Sequence, residues 1–405
     1  MSDFFIREDR KVTKKLSKQD SYLLALTQNV SKEQMSDFND IDSSLLTEIY
    51  NYVNSFYEPI KQVNKGSYIV NAEKVKVLKS LTKKVCLKGT ISIFSKVKVT
   101  CKDNVLSFIG MNADDTFQID FEVSSNDFEV LIDKEYIDLL PKTIDNVEYN
   151  DNKLIIDNTI IAVAKEDVSK FPVIKLSEKG NSAISYEAIQ KVLPTVSTNE
   201  SRRFACGIFI DNDVIVTTDG KRLTKYKINE TGIKDVIFKK STADLIVSVK
   251  KDFVIGFKDE IFNFSNNELS LMILSNRLEA NFPPYNAVIP DESGYNTVIN
   301  IDKKELSDAY KEIEINLKKV QKEAIVFNEN WLEIRDVATD EIVYQKPFNF
   351  LLTNDLKFAI NFKFLKEMLN VNNEPKLLLK NNQSTIIAYD KYDSNFYEII
   401  MPMTV

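Results

Sequence analysis

A chain of 405 residues, 43% hydrophobic and 28% charged with a net charge of −7, is long enough for two to four domains with separate cores and holds no apolar run of membrane-spanning length. Histidine is absent, which excludes Ser/His/Asp triads, Cys/His nucleophile pairs and histidine metal sites. Cys86, Cys101 and Cys206 are scattered rather than set at metal-ligand spacing, and no Gly-rich phosphate loop occurs, so neither a metal nor a nucleotide cofactor is expected. The first residues, MSDFFIREDRKVTKK, lack the apolar core and cleavage site of a secretory signal, so the expected location is cytoplasmic, with reduced, buried thiols.

Residues 1–65 read as an N-terminal helical extension. Helices are expected near 19–30 and 43–57, the second with Leu45, Leu46, Ile49, Tyr50, Val53 and Phe56 at near-helical spacing. From Ser67 onward one pattern is used three times, opening SYIVNAEKVKVLKSL, NSAISYEAIQKVLPTV and NTVINIDKKELSDAYKEI at spacings of 114 and then 115 residues. Each copy predicts a short strand, an amphipathic helix and further strands. A second short helix follows in each, at FEVLIDKEYIDLL, VIFKKSTADLIVSV and LKFAINFKFLKEML. Alternating segments such as DTFQIDFEV, DVIVTTDG and LSLMILSN, bounded by Asn, Asp, Lys and Gly clusters, predict antiparallel strands. Phe-Pro-bearing stretches at 168–181 and 281–296 read as ordered linkers. The expected architecture is α+β, with three repeated domains at 66–175, 176–287 and 288–405, each of two helices plus antiparallel sheets.

The first helix of each copy is basic. Lys76, Lys79, Lys83 and Lys88 flank an apolar stripe in copy one, Lys191, Arg202 and Arg203 accompany copy two, and Lys318, Lys319 and Lys322 close the helix of copy three. A solvated face explains any single helix. Recurrence at equivalent helices points to one continuous surface that meets phosphates without reading sequence and loses affinity with salt.

Three further segments carry a resemblance: Thr218, Asp219, Gly220, Lys221, Arg222, Leu223 at a strand end; the linker Phe282, Pro283, Pro284, Tyr285 closing on Pro290; and the tail Met401, Pro402, Met403, Thr404, Val405. In their order and distances they closely resemble the bacterial β sliding clamp, the processivity subunit of replicative DNA polymerase. The resemblance covers roughly residue 67 to the end. It implies two three-domain subunits joined head to tail in a closed ring, with helices inside around double-stranded DNA and sheets outside. It implies as partners the replicative DNA polymerase, the clamp loader and a second copy of the chain, with no membrane and no catalysis.

The resemblance further implies a hydrophobic cleft for short partner peptides. Here it would be formed by Thr218, Gly220, Arg222, Leu223, Pro283, Val288, Thr385, Ile386, Ile399, Ile400, Met401, Pro402 and Met403. Met and Pro would make an adaptable apolar wall, and Arg222 would set its charge against ligand carbonyls. Lys221, Ala287 and Ala205 depart from the usual residues of the family, which puts partner preference in question. For the ring contact the resemblance implies a domain-one edge strand, with Ile161 and Val163, meeting a domain-three helix with Ile313, Ile315 and Leu317. The run Gln34, Met35, Ser36, Asp37, Phe38 resembles the peptides that dock in such clefts. Two other readings are weighed: a clamp-fold scaffold or decoy that binds polymerase peptides without encircling DNA, and a nuclease holding magnesium on Asp211, Asp213 and Asp219.

Overall fold

A computed structural model describes residues 65–405 except 88, 90, 174–178, 322, 329, 337, 349–356 and 405, with side chains from residue 69 onward. The two helices expected before residue 65, the Gln34 to Phe38 peptide, Lys88 and Lys322 lie outside the described residues.

The first stretch runs α1 (Lys65–Val85), β1 (Lys96–Lys102), β2 (Val105–Met111), β3 (Asp115–Glu122), β4 (Phe128–Asp133), a 3₁₀ helix (Lys134–Leu139), β5 (Val147–Asn150), β6 (Lys153–Ile156) and β7 (Thr159–Ala162). The second runs β8 (Ser182–Ile184), α2 (Tyr186–Val192), β9 (Gly207–Asp211), β10 (Val214–Thr218), β11 (Arg222–Lys227), β12 (Val236–Lys239), α3 (Lys240–Val249), β13 (Phe253–Lys258), β14 (Ile261–Asn266) and β15 (Leu271–Asn276). The third runs β16 (Thr297–Asn300), α4 (Lys303–Val320), β17 (Ala324–Asn328), β18 (Trp331–Arg335), β19 (Ile342–Pro347), β20 (Lys357–Asn361), α5 (Phe362–Val371), β21 (Pro375–Leu379), β22 (Ile386–Asp390) and β23 (Asp393–Ile400).

Local chemistry explains the boundaries. Helix α4 starts where the Asp302 carboxylate accepts the Glu305 amide at 3.0 Å and stops at Gln321, which is left-handed with φ 52°. Its stripe of Leu306, Ala309, Ile313, Leu317 and Val320 is buried. Ser185 caps α2 and Asn361 caps α5 in the same way. The hairpins β1–β2, β5–β6 and β13–β14 turn on Asp103-Asn104, Asp151-Asn152 and Asp259-Glu260, all at positive φ. Asx residues thus supply most of the left-handed turns that glycine would otherwise fill.

The described strands form four antiparallel sheets. One eight-stranded sheet has the order β4-β1-β2-β3-β15-β14-β13-β8, and a second has the order β12-β9-β10-β11-β23-β22-β21-β16. The remaining sheets are β19-β18-β17-β20 and β5-β6-β7. Each large sheet is fused at one seam, β3 against β15 and β11 against β23, where distant parts of the chain zip together. One apolar cluster continues from α1 to β15, a second fills the third stretch, and a third lies along the β11–β23 seam.

Two expectations differ from the structure. Residues 67–70, expected as a strand, are the opening turns of α1, so β5 has no counterpart of β8 or β16 beside it. The second helix of the first stretch is a six-residue 3₁₀ turn, Lys134–Leu139, which buries only Ile137. Its single inward apolar residue gives too narrow a stripe for a longer amphipathic helix.

Candidate functional site

The strand-end motif, the linker and the tail, remote in sequence, meet at the β11–β23 seam. Arg222 and Leu223 stand in register with Ile400 and Ile399. The tail then leaves the sheet under control of two backbone bonds, the Met401 amide to the Lys221 carbonyl and the Met403 amide to the Ala359 carbonyl, each 2.9 Å. The preceding turn is held by the Thr218 hydroxyl, which bonds the Arg222 carbonyl at 2.7 Å and accepts the Gly220 amide at 3.1 Å. The linker is anchored by aromatic packing: Phe282 stacks on Phe209 at 4.6 Å between centroids and meets Phe204 edge-on at 6.1 Å. The linker's 3₁₀ turn, Tyr285–Val288, leaves Val288 57% exposed.

The expected cleft residues therefore divide into floor and rim. Leu223, Ile386, Ile399 and Ile400 are buried. Pro283, Val288 and Met401 are exposed, with Thr218, Thr385, Pro402 and Met403 half-buried between them. Met401 is 57% exposed although it sits between two pinned backbone positions, which is a high exposure for a fixed apolar side chain.

Arg222 differs from its expected role. It is 4% exposed, and its charge is consumed internally. Nε lies 2.9 Å from Asp219, Nη2 donates to the Pro194 carbonyl at 2.7 Å and to Glu367 of α5, and Nη1 lies 3.7 Å from Glu398 of β23. The guanidinium also lies over the Phe364 ring, 4.3 Å from its centroid. Burial raises Glu398 to about 8, against the pull of Arg222 in the other direction. Two better-hydrated carboxylates, Asp219 and Glu367, already balance the cation, so a neutral Glu398 fits the cluster. Arg222 is thus a rivet from β11 to α5 and β23, not a hand held out to a ligand.

The residue that reaches this turn from outside is Arg202. Gly220 has φ +86°, and a Cβ there would lie 2.0 Å from Arg202 Nη1, so the guanidinium rests on the bare glycine at the rim of the expected cleft. Arg202, expected among the phosphate-facing residues, sits in a 3₁₀ segment (Glu200–Ala205) and meets the 218–222 turn at Gly220.

The other basic residues also separate. Lys76, Lys83, Arg203, Lys318 and Lys319 are exposed, Lys83 with a 3.0 Å ion pair to Asp138. Lys79 is tied to the carbonyls of Asp138 and Leu140 at 3.2 and 2.7 Å. Lys191 is no surface cation: its ammonium lies 2.5 Å from Asp393 and 3.6 Å from Asp390, bracing α2 against the β22–β23 hairpin. Of the expected ring-contact residues, Ile161, Ile313 and Leu317 are buried in the cores of their own stretches. Val163 is half-buried and bridges to Ile132, and Ile315 alone is exposed. Alternation on β7 and the helical stripe of α4 turn the other three inward. Asp219 is committed to Arg222 and to two turn amides, and among the described residues no three His, Cys, Asp or Glu side chains converge as a metal site. No described helix is long and apolar enough to cross a membrane.

This α+β fold of antiparallel sheets and few helices matches solved bacterial β sliding clamps. The chain is similar to the DNA polymerase III β subunit of Thermotoga maritima, with a TM-score of 0.67 at 18% identity over 84% of this chain and 98% of that one. It is similar to the Pseudomonas aeruginosa sliding clamp solved with griselimycin, with a TM-score of 0.68 at 15% identity over the same shares. The Caulobacter crescentus sliding clamp matches with a TM-score of 0.65 at 15% identity, over 82% of this chain and 98% of that one. No protein-family profile matches the sequence, and no curated protein matches it by sequence.

Proposed function

We propose that this chain is a non-enzymatic sliding clamp: two copies close head to tail around duplex DNA at the replication site and tether the replicative polymerase, and the clamp loader that opens them, through the cleft at the β11–β23 seam. Residues 66–175, 176–287 and 288–405 are its three domains, giving a ring of six. The supporting observation is the pair of open sheet edges. Within the chain, β3 pairs with β15 and β11 with β23, whereas β19 and β7, which hold the matching places in the element order, have no outer partner among the described residues. Both edges carry exposed apolar residues, Ile160 at 65% on β7 and Ile342 and Val343 on β19. A free edge of this kind is a standing invitation to pairing. Pairing β7 of one copy with β19 of another repeats the internal seam, and a heterologous contact of this kind must close into a ring or run on as a filament. Ile315 lies one turn beyond Glu312, which bonds Tyr344 of β19 at 2.7 Å, so it borders the same edge.

Lys76, Lys83, Arg203, Lys318 and Lys319 are the proposed phosphate-facing residues, and Val288, Met401, Pro402, Met403 and Arg202 the proposed peptide contacts. The test is retention on nicked circular DNA in the presence of a working loader, before and after linearisation. Release on cutting supports topological linkage. Equal retention on circles and linear DNA would mean ordinary electrostatic binding, and no retention at all would favour a scaffold that binds peptides without encircling DNA.

A further inference from the structure

Three buried polar atoms at the β11–β23 seam make no hydrogen bond among the described residues: Arg222 Nη1, Glu398 Oε1 and the Thr224 hydroxyl. The sheet brings them together, because Thr224 stands opposite Glu398 and Arg222 lies on the same face of β11, two residues away. Nη1 and Oε1 are 3.7 Å apart, close enough to attract and too far to bond. The charged and titratable groups around them come from several elements. The turn before β11 supplies Asp219 and α5 supplies Glu367, both on Arg222, while β22 sets the neutral Ala388 opposite Glu398. Farther along the strands, Lys191 of α2 is closed on Asp390 and Asp393, and the Tyr226 hydroxyl bonds Asp393 at 3.0 Å.

We infer that Arg222 has two stations, the present one on Glu367 of α5 and a second on Glu398 of β23, and that loss of the Glu398 proton carries it from the first to the second. Burial holds Glu398 at about 8, so its carboxyl keeps a proton at neutral pH and the guanidinium is shared by Asp219 and Glu367. Ionised, Glu398 becomes a third claimant, 2% exposed and without a bonded donor on Oε1. An unpaired buried charge is costly, and the adjacent donors are Nη1 and the Thr224 hydroxyl. A swing of about 1 Å brings Nη1 to the distance of a charge-assisted bond.

One present partner must then give way, and their settings decide which. Asp219 is fastened in its turn, where it accepts the Lys221 and Arg222 amides at 2.9 and 3.0 Å. Glu367 has no such ties. Its side chain is 28% exposed and borders a cavity of about 620 Å³ between α4 and α5, which Lys363 also lines. Lys363 stands four residues before Glu367 on the same helix, at the spacing that lets opposite charges meet, so the released carboxylate has a cation to turn to. The exchange unfastens α5 from β11 and tightens β11 on β23, directly beside the Lys221 carbonyl that holds the Met401 amide at 2.9 Å. It is a property of the seam itself and does not depend on peptides binding above it.

The test follows the Arg222 side chain by magnetic resonance in the full chain carrying nitrogen-15 arginine, its signals assigned by their loss in Arg222→Lys. Between pH 6 and 9.5 the Nε and Nη signals are expected to shift with a midpoint of about 8 and to stay still in Glu398→Gln. In Glu367→Gln the midpoint is expected at lower pH, since a carboxylate that opposes ionisation of Glu398 is gone. Signals that do not move in the parent, that move alike in Glu398→Gln, or that keep the parental midpoint in Glu367→Gln overturn the exchange. A readout free of substitution is the infrared band of a buried protonated carboxyl. Its loss in step with the arginine shift supports the inference, and its persistence after that shift overturns it.

Discussion

The two seams use equivalent strands, β3 with β15 and β11 with β23, yet they are filled differently. At the first, the buried polar content centres on one carboxylate, Asp115. The Thr242 hydroxyl lies 2.6 Å from the Asp115 carboxylate and 2.7 Å from the Ser275 hydroxyl, inside an apolar cluster that runs unbroken across the junction. At the second, one arginine is buried among Asp219, Glu367 and Glu398, with Lys191 clamped on Asp390 and Asp393 nearby. At the first seam the apolar cluster carries most of the junction, with the Asp115, Thr242 and Ser275 side chains as its buried polar contact. Buried charge is a poor source of net stability but is costly to disrupt, and its directional bonds fix one orientation. The charged cluster lies at the seam that also carries the pinned tail and the linker, where the relative placement of β11, β23 and α5 would set the shape of the proposed cleft.

The sharpest way to break that contrast is Arg222→Met, which leaves Asp219, Glu367 and the buried Glu398 around a vanished cation. It is expected to destabilise by about 3–5 kcal/mol, the usual range for removing one partner of a buried pair. Thr242→Val at the first seam is expected to lose only about 1–2 kcal/mol. Urea unfolding of both variants measures this, and equal losses would show that the seams are held alike. A second effect is pH-dependent. Burial holds Glu398 at about 8, well above its unfolded value of roughly 4.3. Between those values the folded chain keeps a proton that the unfolded chain has released, so stability falls as pH rises through this window and levels off above it. Asp219 and Glu367 reinforce the trend, while Arg222 opposes it. Melting temperatures from pH 5 to 9 are expected to decline in the parent chain and to flatten in Glu398→Gln. The Thr242→Val variant is expected to keep the parental slope.

The seams were only partly legible in the sequence. The helix opening in NTVINIDKKELSDAYKEI and the alternating strand in DTFQIDFEV depend on residues a few positions apart, so pattern sufficed. The strand-end motif, linker and tail were recognised as one site, and the structure does bring them together. What each charged side chain does there was not legible, because its partners arrive from elsewhere: Glu367 is 145 residues from Arg222, and Asp393 is 202 from Lys191. A helical wheel shows that Lys191 lies off the apolar stripe, but not that a hairpin from another part of the chain covers it. The contact of Arg202 with Gly220 was hidden for the same reason, since only the folded turn brings the two together. At residues 67–70 local propensity and internal repetition favour a strand, and the helix seen there continues α1 at their expense.

Smaller effects sharpen the comparison at the rim. Met401→Ala removes an exposed side chain from the second seam and leaves the charged cluster intact, so it is expected to weaken binding of a polymerase-derived cleft peptide by about 1–2 kcal/mol, roughly tenfold, without lowering the melting temperature. Isothermal titration with a matched melt separates the two readings; a fall in both would mean that the tail is structural packing.

The smallest effects concern the lysines, where position rather than charge should decide the outcome. If Lys318 and Lys319 meet phosphates, each alanine replacement lowers the slope of log affinity against log salt by about 0.9, since each contact releases its share of condensed counterions. Lys191 carries the same charge but spends it on Asp390 and Asp393, so Lys191→Gln is expected to leave that slope unchanged and to register only as lost stability at the second seam. Titrating DNA binding at several salt concentrations discriminates these outcomes. A reduced slope for Lys191→Gln would mean that its ion pairs open in the DNA-bound state, and that the charged seam is a contact surface as well as a fastening.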